Sequence, residues 1–275
     1  MSMIKPKRWT PRSLLAVQLP HLFRRPKSPQ EWIGPSTERV PLDAHTHHEF
    51  IKRKQKKFKS GIISVYGVNN RPSREHRENM WSVATGSWVP SAWLQATHIY
   101  PPSLGKMVEM ETIRTQSLWT AGNGLMLPRN AIRALDDWAL TIVPSDPDSF
   151  SITDRPLQYR FKILDSGHNS LRGKVYPDVD TSGFMALQLH NRELSFWNNN
   201  RPLVEPLYFH SCCAMWKVTC LQNPEVTDGK EFWELYLGNL KALWSEQLVT
   251  RSYRLITEIF YPKEQVDQAK TQSKD

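Results

Sequence analysis

SVATG at 82–86, ATHIYP at 96–101, NGLML at 123–127, LDD at 135–137 and LTIVP at 140–144 form the stretch that decides how this 275-residue chain folds. Polar residues of chemical interest stand at the edges of its short apolar runs: His98 near the end of one, Asn123 at the start of the next, and Asp136 and Asp137 before the last. Nine residues after Asn123 stands Ile132. Taken alone, a histidine followed by Ile99, Tyr100 and Pro101 reads as a hydrogen-bonded core residue. The neighbouring motifs give it a second reading.

Outward from that stretch, the chain has the composition of a globular protein, 39% hydrophobic with a mean hydropathy of −0.54. Its length suffices to bury a substantial core. No run approaches the roughly 18 apolar residues of a membrane span, and no apolar leader with a small-residue cleavage site stands at the N-terminus. These features predict an intracellular protein without membrane attachment. Cys212, Cys213 and Cys220 are too few and too clustered for a disulfide framework and predict buried free thiols. Neither a phosphate-cradling glycine loop nor a G-x-S-x-G elbow occurs, so nucleotide hydrolysis and α/β-hydrolase chemistry have no support.

Charge divides the chain. Residues 1–60 hold 14 Lys/Arg against 4 Asp/Glu, whereas the remaining 215 hold 22 against 23. The excess therefore lies in a Pro-rich, basic, weakly ordered arm, 1–60, ahead of a nearly neutral body, 61–262, and a polar tail, 263–275. The run KRKQKKFK at 52–59 offers Lys52, Arg53, Lys54, Lys56, Lys57 and Lys59 as a phosphate-binding patch or nuclear import signal. Nucleic acid is the expected partner of this arm, and the nucleus the expected compartment.

Along the body, the β-branched residues at 62–68 predict a strand, 73–81 a short helix capped by Ser73, 157–165 a strand, and 183–197 a strand pair. The segment 207–221 reads as a helix carrying the cysteines. Apolar spacing of three and four residues predicts a long C-terminal helix over 230–260. Among the 11 tryptophans, base stacking is conceivable, but Trp216, Trp233 and Trp244 fall in apolar patterns that favour the core.

The ordered motifs at 82–144 resemble the fungal HNH-endonuclease-like family. In that family a Cys/Thr-Gly turn leads to an AHIVP-like strand, an NGLxL strand-to-helix step and an FD element. RELSFWNNNRP at 192–202, with LYF at 207–209, is similar to the block that closes such proteins, so the resemblance covers about 73–215. It implies an α+β fold with a ββα-metal core, 82–144, inside a larger mixed domain ending in a long helix. It further implies metal-dependent phosphodiester cleavage with Mg²⁺ or another divalent cation if the site is active. His98 matches the general base and Asn123 the central asparagine, which pins the loop or contacts the metal. Asp136, and with it Asp137, offers carboxylates for that metal. Two departures weaken this inheritance. Thr97 stands where active relatives often carry a ligand, and Ile132 stands where the last histidine belongs. The resemblance therefore implies impaired or lost cleavage, and a binding or regulatory module on a decayed scaffold as the alternative.

One rival cluster, DAHTHH at 43–48, has the H-x-H spacing of metal hydrolases. Those folds need a long series of βα units, which this chain lacks, so an exposed chance cluster is the expected outcome.

Overall fold

A computed structural model describes residues 44–69, 78–101, 118–147, 158–176, 185–222 and 229–244. The first element is helix α1, Ala44–Tyr66. Strands β1, Asn79–Ser82, and β2, Ser87–Pro90, pair antiparallel with Trp81 opposite Trp88. Strands β3, Leu94–His98, and β4, Gly124–Pro128, form a second antiparallel pair, with His98 opposite Gly124 and Leu94 opposite Pro128. Helix α2, Arg129–Asp136, follows β4 directly. Strands β5, Leu140–Pro144, and β6, Tyr159–Ile163, form the third pair, and helices α3, Val204–Gln222, and α4, Gly229–Lys241, complete the described elements. The chain is a mixed α+β structure of helices and small antiparallel sheets.

Local sequence explains each turn. In SVATG the amides of Thr85 and Gly86 both donate to the Ser82 carbonyl, and Gly86 adopts φ +65°, a conformation glycine takes without steric penalty. The α2 helix ends without glycine. Trp138 takes the left-handed position at φ 60°, its amide donates to Leu135 O, and the Ala139 amide donates to Ala134 O. That is a Schellman closure. A tryptophan there carries about 1–2 kcal/mol of backbone strain. Burial against the His210 ring, 4.7 Å away, offsets it.

Helix α3 is the spine. Its residues from 206 to 216 are buried all round, between β5 on one side and α4 on another. A polar knot locks it to β5: Thr141 Oγ1 lies 3.1 Å from His210 Nδ1 and 2.9 Å from Ser211 Oγ, and His210 Nε2 lies 3.1 Å from Leu135 O. Because a carbonyl only accepts, neutral His210 carries its proton on Nε2, and the Thr141 hydroxyl donates to Nδ1. Cys212 and Cys213 are buried free thiols, and burial pushes Cys212 up to about 12.

The segment 192–203 acts as a strap across these parts. Its backbone bonds to β6 (Leu194 N to Tyr159 O, 2.7 Å), to the β1–β2 turn (Ser195 N to Val83 O, 2.9 Å) and to the turn before β4 (Leu203 N to Gly122 O, 2.9 Å). The amides of Asn198 and Asn200 both donate to Val65 O at the last turn of α1, and Trp81 Nε1 donates to Ser195 O.

Several expectations change here. Residues 62–66 close helix α1 rather than forming a strand, and α1 runs across the expected arm boundary at residue 60; 1–43 lie outside the described residues. Buried Phe58, Ile62 and Tyr66 recur every four residues, and packing that face outweighs the strand preference of the β-branched residues. Residues 79–81 are strand rather than helix, while 73–77 lie outside the described residues. No strand pair forms over the described part of 183–197. Ala186–Leu189 makes a 3₁₀ turn, and the residues after it serve the strap. The C-terminal helix ends at Lys241, followed by a turn to Trp244, and 245–260 lie outside the described residues. Strand β6 and helix α3 lie where expected.

Candidate functional site

The site is built where β3 leaves its hairpin. Gly124 opposes His98, and the Ile99 amide donates to Asn123 O at 2.9 Å, so the chain exits β3 in fixed register with the turn at Ala121–Asn123. Alternation along β3 places Thr97 and His98 on opposite faces. Thr97 is buried, and its hydroxyl turns back to the His98 carbonyl.

Helix α1 covers the His98 face. The Phe58 ring stacks on the imidazole with centroids 3.8 Å apart and planes 3° from parallel. Trp119 meets the same imidazole edge-on at 4.8 Å. The close approach requires glycine opposite His98. A Cβ at Gly124 would lie 2.4 Å from Phe58 Cζ and 2.6 Å from Ile62 Cδ1. Loss of solvent lowers the His98 pKa from 6.5 to about 3, so the ring is neutral throughout the physiological range. Its Nε2 is buried with no hydrogen-bond partner. Neither Phe58 nor Trp119 belongs to a motif that marks it in the sequence. The four-residue spacing of Phe58, Ile62 and Tyr66 was the available signal for the helix, and nothing local announced its target.

Asn123 is 1% exposed and fully engaged. Its Oδ1 accepts from the Tyr100 amide at 2.8 Å, and its Nδ2 donates to Tyr100 O at 3.0 Å and Leu118 O at 2.9 Å. The side chain clamps both ends of the segment between β3 and β4. Ile132 is buried, 8% exposed, on the inner face of α2 with Ala131, Ala134 and Leu135. Asp136 and Asp137 stand at the end of that helix. Asp137 Oδ2 lies 3.2 Å from His168 Nε2, and Lys217 Nζ donates to the Asp137 carbonyl at 2.7 Å, which ties the end of α2 to α3. Asn130 Nδ2 donates to Lys174 O.

The basic run occupies the outer side of α1. Lys52, Arg53, Lys56, Lys57 and Lys59 are exposed, and Lys54 is half-buried with its ammonium 4.6 Å from the Phe50 ring centroid. Lys52 pairs with Glu49 at 3.1 Å. In the DAHTHH cluster, Asp43 lies outside the described residues, the backbone of 44–48 belongs to α1, and His48 is exposed.

A histidine at the exit of a hairpin, an asparagine fixing the loop behind it and a helix following directly make a nuclease-like unit. Residues 82–143 match the HNH endonuclease family, and over that segment the chain is HNH-like. No curated protein and no solved structure matches the chain. HNH nucleases commonly use a divalent metal. The side chains here fit one poorly. Among the described residues, no three His, Cys, Asp or Glu side chains gather as a metal site. The Asn123 amide is committed to backbone groups, and Ile132 has no donor atom. No helix among the described residues is long and apolar enough to cross a membrane.

Proposed function

We propose that this chain is an HNH-derived nucleic-acid-binding module in which the nuclease centre has become structural. The Phe58 ring stacked on His98 carries this reading. A general base takes its proton through a ring nitrogen in the plane of the imidazole and needs a water there, and beneath the Phe58 stack and the Trp119 edge contact His98 Nε2 is buried away from water. Depression of the His98 pKa to about 3 further weakens it as a base near neutral pH. The committed Asn123 amide and the buried Ile132 support the same conclusion. Binding falls to α1. Its inner face is spent on the core, and its outer face presents Lys52, Arg53, Lys56, Lys57 and Lys59 to the phosphate backbone.

The test uses the purified full chain with supercoiled plasmid and Mg²⁺ or Mn²⁺. The plasmid is expected to stay intact while labelled DNA is bound in a salt-sensitive manner. Reversal of Lys52, Arg53, Lys56, Lys57 and Lys59 to Glu should abolish that binding. Cleavage that disappears in His98→Ala would overturn the reading.

One observation favours a second reading, an impaired metal-dependent nuclease held closed by α1. The His98 Nε2 is buried without a partner, an arrangement that costs about 1–3 kcal/mol unless a ligand serves the atom. On this reading α1 moves to uncover His98, the Asn123 clamp opens, and Asn123, Asp136 and Asp137 serve a divalent cation. Phe58→Ala would then cleave plasmid where the parent does not, and an inactive, folded Phe58→Ala protein would end it.

A further inference from the structure

The geometry points to a base-stacking platform for single-stranded nucleic acid at the tryptophan triad Trp81, Trp88 and Trp197, continuous with the basic helix. This inference rests on the nucleic-acid reading of α1 and adds the strandedness of the ligand and the residues that select it.

The triad lies outside the HNH-like site, where the strap crosses the β1–β2 hairpin. Its ring centroids are 5.5 Å apart for Trp81 and Trp88, 5.0 Å for Trp81 and Trp197, and 5.1 Å for Trp88 and Trp197. Trp81 and Trp88 are half-buried, whereas Trp197 is 39% exposed. A tryptophan serving only the core would bury its rings. These rings instead brace one another and leave part of their area in water. The scaffold beneath is firm, because Trp81 and Trp88 are register partners and Trp81 Nε1 donates to Ser195 O. The platform is thus already assembled.

Position and charge identify the occupant. Immediately after Trp197, Asn198 and Asn200 both donate to the carbonyl of Val65, so the platform is bonded to the end of α1. Val65 is itself exposed. From Val65 back to Lys59 is about 9 Å along the helix, and the exposed cations continue from there to Lys52. In the turn of the hairpin that carries Trp81 and Trp88, the Arg192 guanidinium donates to Thr85 O. Aromatic faces flanked by cations suit a chain that alternates unpaired bases with phosphates. A duplex can use the cations, but its bases are stacked on one another and cannot reach the rings. An apolar peptide would gain nothing from the lysines.

The test measures binding of the full chain to a labelled single-stranded oligonucleotide and to a duplex of the same length, at one salt concentration. The expected results are tighter binding of the single strand, quenched tryptophan fluorescence, and about 10-fold weaker single-strand binding in Trp197→Ala. Duplex affinity should stay unchanged, and Trp197→Phe should recover most of the loss. Trp197 is exposed, and an unchanged circular dichroism spectrum would certify the fold of the variant. Equal loss for both ligands, or no loss for either, overturns the platform. The five-residue Glu reversal on α1 separates the two proposals. If it abolishes binding while Trp197→Ala has no effect, the platform falls and the nucleic-acid reading stands. If the parent binds neither ligand, both fall.

Discussion

At position 123 one side-chain amide serves three backbone groups, the Tyr100 amide and the carbonyls of Tyr100 and Leu118. A buried polar group that loses its hydrogen bond costs about 1–3 kcal/mol. Asn123→Ala is therefore expected to lower stability by roughly 3 kcal/mol or more, read as a shift in the urea midpoint. Asn123→Asp, the change a metal ligand would tolerate, should be at least as damaging, because it sets an oxygen against two carbonyl oxygens. A stable Asn123→Asp protein that gains metal affinity would contradict the clamp. Two histidines make stability depend on pH. Burial depresses His98 to about 3 and His210 to about 4, both below the unfolded value of 6.5. The unfolded chain then binds more protons, so their contribution is complete above about pH 6.5 and declines as pH falls toward 4 and below. The slope approaches about 1.4 kcal/mol per pH unit for each group. Denaturation midpoints between pH 7.5 and 5 should show the decline, and His98→Phe, which keeps a flat ring on Phe58, should make it shallower. A pH-independent midpoint would refute the burial of both rings. Sequence alone gave His98 and Asn123 as the residues to watch. Their partners were not legible, since Phe58 is 40 residues from His98 and Tyr100 is 23 from Asn123.

Among the elements, α1 changes the reading most. Its basic run was visible as composition, yet the residues that place it, Phe58, Ile62 and Tyr66, look unremarkable until the hairpin β3–β4 supplies Gly124 as the surface they meet. Gly124→Ala is a wedge at that contact, with an expected loss of about 1–3 kcal/mol in thermal unfolding. Phe58→Leu should relieve part of it, so the double variant ought to be more stable than the two separate losses predict. Strict additivity would place the wedge elsewhere. Strand β6 was readable from its alternation of apolar and polar residues and β3 to β5 from their motifs, and β4 and β5 are buried along their whole length. The strap was not, for it makes no sheet of its own. Its residues bond in turn to β6, the β1–β2 turn, α1 and the turn before β4.

On the scale of the whole molecule, charge and core lie on opposite sides of one helix, and the rest of the body is nearly neutral. Nucleic-acid affinity is accordingly expected to fall steeply with salt, by about 0.7 logarithmic units per phosphate contact for each tenfold rise in salt on a single strand. Changing Lys56 and Lys57 to Ala should flatten that slope by one to two contacts, and an unaltered slope would move the interface off α1. The sequence by itself determined the HNH-like motifs of 82–144, the basic run and the isoleucine at 132, because each is written in contiguous residues. Only the tertiary structure decided that α1 closes over His98, that Asn123 serves the loop, and that three tryptophans from distant positions meet. Such contacts join residues tens to more than a hundred positions apart, and they depend on which faces remain unburied once the hairpins and α3 have packed.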